Sequence, residues 1–185
     1  VSHELTVGEI KGIVEKFRSA VKRAYEIAGV DFVEIHGAHG FLINEFLSEK
    51  SNKRIDEYGG SFENRIRLLL EIVDASRDDE HPLFVRVSST EMADHVPGSW
   101  KIEDTKRLAD VLIEHGVDLL DISAGGNSKQ QERREKKPGS QIPYAKAVKK
   151  HVGCRLLVSA VGKINTAKLA NDTLEEGSVD LILNG

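Results

Sequence analysis

The chain has 185 residues, 39% of them apolar and 30% charged, a composition that can bury a real core and that excludes a disordered or fibrous class. The net charge of −4 and pI near 6.0 argue against a nucleic-acid footprint, and no apolar run approaches the roughly 20 residues of a membrane span. The one cysteine, Cys154, cannot form an internal disulfide and no signal peptide is evident over Val1 to Ile10, so cytoplasm is the expected compartment.

Ile10, Val14, Phe17, Val21, Ala24 and Ala28 recur at helical spacing, which predicts an amphipathic helix stopped by Gly29. A strand is expected from Val30 to His36. It stops at a histidine and passes through Gly37, Ala38 and Gly40, the pattern of a core strand opening into a tight loop. Strand-end loops of α/β proteins are where ligands sit, so His36 and His39 are the first candidates for chemistry. Their spacing alone leaves open structural histidines, a small-molecule site and a metal site. A zinc site needs a third ligand, which Glu34 could supply from the His36 side of the strand; Cys154 is far away in sequence.

Ser61 is placed to cap a helix with the stripe Ile66, Leu69, Leu70 and Val73, and Leu83 to Ser88 alternates as a second strand. The cycle repeats: helix from Ile102 to His115, strand from Val117 to Ser123, helix from Ile142 to His151, strand from Arg155 to Ala160, helix from Thr166 to Glu176, strand from Val179 to Leu183. Strands alternating with helices imply parallel pairing and an α/β class. A doubly wound sheet and a barrel both fit, although no G-x-G-x-x-G turn follows any strand.

The string from Val33 to Arg67 closely resembles the signature of the old yellow enzyme family of FMN-dependent NAD(P)H oxidoreductases. That signature is H-A/G-A-H-G-Y-L, then F-L-S-P, N-x-R, D-x-Y-G-G-S and E-N-R. The matching residues are His36, His39, Gly40, Leu42, Phe46, Leu47, Ser48, Asn52, Arg54, Asp56, Tyr58, Gly59, Gly60, Ser61, Glu63, Asn64 and Arg65. The resemblance implies a (β/α)8 TIM barrel of which this chain supplies a helix and strands four to eight. Residues 1–185 are then expected to be a single partial FMN oxidoreductase domain, without the N-terminal strands and the C-terminal end, which also suits a chain that starts at Val1. A barrel lacking three strands would have two open edges and exposed interior side chains, so the chain alone is expected to be poorly stable or to pair with a second copy.

The resemblance further implies FMN as cofactor, NADH or NADPH as reductant in a ping-pong cycle, and an activated alkene, quinone or related small molecule as acceptor. His36 and His39 match the pair that hydrogen-bonds the acceptor's oxygen, with many relatives carrying Asn at the second position. Phe41 stands where the family usually has the Tyr that protonates the α-carbon, and phenylalanine has no proton to give. Arg86 alternates among core residues and should project toward the barrel axis or mouth. The residues alone allow an ion pair with a neighbouring strand; the resemblance implies contact with the N1 and C2-oxygen edge of the flavin.

Ser159-Ala160-Val161-Gly162 resembles the family's G-A-V-G phosphate loop, which assigns Ala160, Val161 and Gly162 to the cofactor, together with Gly185 of the last strand. Ser123 to Gly126 resembles the strand-six loop, the Lys129 to Lys137 run reads as a solvated loop, and the Asp56 to Arg65 stretch as a turn and a capped helix. The rival expectation is a non-catalytic fragment that does not hold flavin.

Overall fold

Five parallel strands, joined by helical crossovers, form the frame of the computed structural model, which describes residues 3–132 and 137–184. They are β1 (Val33–Gly37), β2 (Leu83–Ser88), β3 (Leu119–Ser123), β4 (Leu157–Ala160) and β5 (Leu181–Ile182), paired in chain order. The helices are α1 (Val7–Arg23), α2 (Leu42–Leu47), α3 (Phe62–Ser76), α4 (Ile102–Glu114), α5 (Ile142–Val152) and α6 (Ala167–Glu175). Strand order equal to chain order is what a barrel wall requires and what a doubly wound sheet, with its reversal, does not give.

The register sorts the side chains into two faces. Ile35, Val85, Leu120 and Val158 stand side by side and are at most 2% exposed, packed toward the helices. Each such side chain contributes roughly 1.5–3 kcal/mol by leaving water. The alternate positions face the barrel axis and carry the polar groups: His36, Arg86, Asp121 and Ser159 form one row, aligned across four strands. At the foot of that face Phe32 stacks on Phe84 with ring centroids 4.6 Å apart, and Phe32 and Leu157 remain 51% and 46% exposed.

Two elements differ from the sequence expectation. The first helix ends its α-helical run at Arg23 and continues as a π-helical turn, Ala24–Ala28, before Gly29 closes it at φ 65°. The first strand begins at Val33 rather than Val30, because its register with β2 starts where Leu83 follows Pro82. The ends of the other strands fall within a few residues of the expected ones.

The Asn52 to Arg65 stretch is a folded connector. Asn52 Nδ2 donates to the carbonyls of Phe46 (2.8 Å) and Tyr58 (2.7 Å), Arg65 Nε to that of Leu47 (2.8 Å), and Arg54 pairs with Asp56. Gly59 is required by space, since a Cβ there would lie 2.2 Å from the Arg54 carbonyl oxygen. Ser61 caps α3, accepting from the Asn64 amide at 3.2 Å. This framework holds α2, and with it the loop after β1, against the sheet.

Candidate active site

The loop after β1 turns sharply because His39 and Gly40 both adopt left-handed backbone, with φ of 60° and 74°. The His39 amide donates to Ser88 Oγ at the end of β2 (3.0 Å), and the Gly40 amide donates to Asn44 Oδ1 in α2 (2.8 Å). Ser88 Oγ in turn donates to the Gly125 carbonyl (2.7 Å), so the strand-end loops of β1 and β3 are tied through β2. The β3 loop lies directly on His39: a Cβ at Gly126 would come within 2.9 Å of the His39 Cα.

These ties gather the histidines. The rings of His36 and His39 are 5.3 Å apart, and Phe41 sits edge-on to His36 at the same distance. Phe41 is 62% exposed, a ring beside the site with no polar atom to offer. His39 Nε2 lies 2.6 Å from Ser123 Oγ at the end of β3. Among the described residues no group of three or more His, Cys, Asp or Glu side chains is arranged to hold a metal ion.

Arg86 occupies the centre of the axis-facing row. Its Nε is 2.8 Å from Oδ2 of the fully buried Asp121 on β3, and its Nη1 is 4.0 Å from Glu34 on β1. The approach to Asp121 is an ion contact rather than an aligned hydrogen bond; Asp121 Oδ1 accepts from Ser159 Oγ at 2.6 Å. Burial pushes the Asp121 carboxyl up, against the pull of Ser159 and Arg86. Glu34 is pushed up by burial and then by the Asp121 charge, while desolvation and the nearby guanidinium push His36 down. The ion pair with a neighbouring strand is therefore present, and the guanidinium nevertheless reaches a cavity.

That cavity, of about 630 Å³, is lined by Arg86, by Val161 to Asn165 after β4, and by Leu183 and Asn184 after β5. Its volume falls within the roughly 300–1,000 Å³ of small-molecule sites. Gly162, at φ 105°, turns the chain out of β4 toward α6, and Thr166 caps that helix by accepting from the Leu169 amide at 3.2 Å. Two cations, Arg86 and Lys163, thus share a cavity with a strand-to-helix turn, a donor set suited to an anionic ligand. Ala160 is fully buried, with its carbonyl accepting from the Leu183 amide (3.0 Å), and the cavity wall begins at Val161. Gly185 lies outside the described residues, as does part of the Lys129 to Lys137 run.

Motif reading does not reach Asp121, Gln141 or Lys163. The signals were an aspartate inside the apolar strand L-L-D-I-S, a glutamine just before a helix, and a lysine directly after the loop glycine.

A parallel half-barrel with its polar groups at the carboxyl ends of the strands is the frame of a β/α-barrel enzyme. The chain belongs to the NADH:flavin oxidoreductase / NADH oxidase family, whose pattern it matches over residues 1–185. It is 45% identical over its whole length to an NADH:flavin oxidoreductase of Gibberella zeae, covering 47% of that protein. Identity to an NADPH dehydrogenase of a Geobacillus species is 42% over 97% of the chain, covering 51% of that protein. An old yellow enzyme homologue from Zymomonas mobilis superposes on all of the chain with a TM-score of 0.76 at 26% identity, and half of that structure is covered. The chain spans about half the length of the curated relatives it matches, so its sheet is part of an old yellow enzyme-type TIM barrel.

Proposed function

We propose that this chain carries the flavin- and acceptor-binding wall of an FMN-dependent NAD(P)H oxidoreductase, with β1 to β5 corresponding to strands four to eight of the barrel. The observation that carries the reading is that Arg86 lines the same cavity as Val161, Gly162 and Lys163 while standing in register with His36. When bound, FMN would take hydride from NADH or NADPH and deliver it to a small-molecule acceptor. Arg86 would hold fixed positive charge at the ring, and Val161, Gly162 and Lys163 would hold the phosphate. His36 and His39 would bind the acceptor's oxygen. Phe41 cannot protonate carbon, so quinones and similar acceptors that need no directed carbon protonation suit this site better than enones. A cytoplasmic setting fits the single cysteine. No helix among the described residues is long and apolar enough to cross a membrane.

A second reading, a non-catalytic portion that does not hold flavin, is favoured by one observation: Arg86 is already engaged by Asp121 and flanked by Glu34. Titrating the chain with FMN, following flavin fluorescence and the visible spectrum, separates the two. Binding that Arg86→Ala abolishes supports the oxidoreductase reading; a folded chain that leaves the flavin spectrum unchanged supports the second.

A further inference from the structure

A short pattern recurs ahead of three strands. Gly29-Val30-Asp31-Phe32-Val33 leads into β1, Gly116-Val117-Asp118-Leu119-Leu120 into β3 and, with one residue inserted, Gly177-Ser178-Val179-Asp180-Leu181-Ile182 into β5. At two of the three places the aspartate clasps the neighbouring strand through a pair of bonds. The Leu83 amide at the start of β2 donates to Asp118 Oδ2 (2.8 Å), and the Asp118 amide donates to the Leu83 carbonyl (3.0 Å). In the same way the Val158 amide of β4 donates to Asp180 Oδ2 (2.8 Å), and the Asp180 amide to the Val158 carbonyl (2.8 Å). The residues that follow are ladder partners in both cases, Phe84 with Leu119 and Ser159 with Leu181, so the clasp sits where the register is set. Asp31 has no such neighbour. It is exposed, it precedes the first strand of the sheet, and its carboxylate makes no hydrogen bond or ion pair among the described residues. The valines separate in the same way: Val117 and Val179 are 5% and 4% exposed beside a clasped strand, whereas Val30 is 38% exposed.

We propose that Asp31 is the register-setting clasp for a parallel strand on the free edge of β1, and that this strand comes from the portion of the barrel that the chain does not span. The curated relatives are about twice as long as the chain, which leaves room for it. The Asp31 carboxylate takes the amide of one residue of that strand, the Asp31 amide meets the same residue's carbonyl, and the next residue pairs with Phe32. Leu83 and Val158, the two clasped residues in place, are buried and apolar, so the residue held by Asp31 is an apolar one turned toward the helices. An edge strand otherwise presents a row of unpaired backbone groups, and a carboxylate at its start selects one register among those the ladder alone allows. A barrel calls for some strand at this edge; Asp31 decides where that strand begins.

The test sets residues 1–185 into the full-length Gibberella zeae relative in place of its matched region, and reads urea unfolding and amide hydrogen exchange of the completed barrel without flavin. Asp118→Ala is the internal control: it should lower the unfolding equilibrium's preference for the folded state roughly tenfold and speed exchange at the Leu83 amide. Asp31→Ala is expected to have an effect of the same size, with faster exchange at one amide of the host strand ahead of β1. Asp31→Asn, which keeps an acceptor oxygen, should restore much of that protection. Asp31→Ala that leaves every amide of that host strand unchanged, whatever it does to stability, overturns the proposal. Should the fungal host not fold around the chain, the Geobacillus NADPH dehydrogenase takes its place; a chain that neither host accepts also overturns it, because an edge keyed by Asp31 takes a relative's strand in register. No reading depends on FMN, so failure here is distinct from failure of the oxidoreductase reading.

Discussion

Arg86 and Asp121 face each other on adjacent strands, 2.8 Å between Nε and Oδ2, with the aspartate wholly buried and the arginine side chain 24% exposed. The pair sits midway between His36 and Ser159 in a single row, so it sets both the charge and the spacing of the axis-facing site. Because two carboxylates flank one guanidinium, proton uptake by one cancels the cluster's net negative charge, and uptake by both makes it positive.

Asp121→Ala strands the guanidinium beside a newly opened space and removes the acceptor of the Ser159 hydroxyl. Loss of one member of a buried pair costs about 3–5 kcal/mol, and the partial exposure of Arg86 puts this case near the lower end. Urea unfolding should show a loss of about 3 kcal/mol, with Asp121→Asn, which keeps an acceptor for Ser159, losing clearly less.

The carboxyl of Asp121 is raised above its ordinary 3.8, so the folded chain binds more protons than the unfolded one just above that pH. Its contribution to stability is full below 3.8 and is lost as pH climbs through the raised value. The stability gap between wild type and Asp121→Asn should therefore fall with rising pH across that window. His36 is lowered from 6.5, and its sign is opposite: the unfolded chain takes up the proton first, so stability is lost as pH falls from 6.5 through the folded value. His36→Gln should lose less stability than wild type across that interval. Unfolding curves collected at a series of pH values read both slopes; parallel curves for wild type and both variants would refute the assignment.

Asn52→Ala leaves the buried carbonyls of Phe46 and Tyr58 without their shared donor. Asn52 Oδ1 also accepts from the Arg54 amide at 3.1 Å, so three bonds are lost, and the unsatisfied groups cost about 2–4 kcal/mol. Amide hydrogen exchange should quicken at Asn52, whose own N–H is bonded to Ser48, well before α4 and α5 are affected.

Phe41→Tyr places a hydroxyl beside His36. For an FMN-loaded chain, enone reduction should rise by on the order of 10²-fold, the scale of a positioned general acid, with quinone reduction little changed. Equal effects on the two acceptor types would mean that position 41 acts only on binding.

Period-2 alternation made β2 legible residue for residue, from Leu83 to Ser88, since the apolar Leu83, Val85 and Val87 are buried and alternate with the half-buried Phe84 and Arg86. Ser61 and Gly29 were legible for local reasons, a hydroxyl cap and a left-handed stop. The π turn at Ala24–Ala28 leaves no compositional mark, and α2 is only six residues long, so its buried Ile43, Phe46 and Leu47 are too few to declare a period. The histidines and Arg86 could be picked out one by one. Their partners could not, because Asp121 reaches Arg86 through strand register and Gln141 reaches His39 through a serine 18 residues away in sequence.

The left-handed backbone at His39 also limits what evolution can place there. Asn, Asp and His tolerate that conformation best among side-chain-bearing residues, and β-branched residues tolerate it worst. Exchange between His and Asn at this position is thus the path of least resistance for the main chain before any hydrogen bond to a ligand is considered. A library randomised at residue 39 and sorted only for folding, with no flavin or acceptor present, should already return those residues together with Gly.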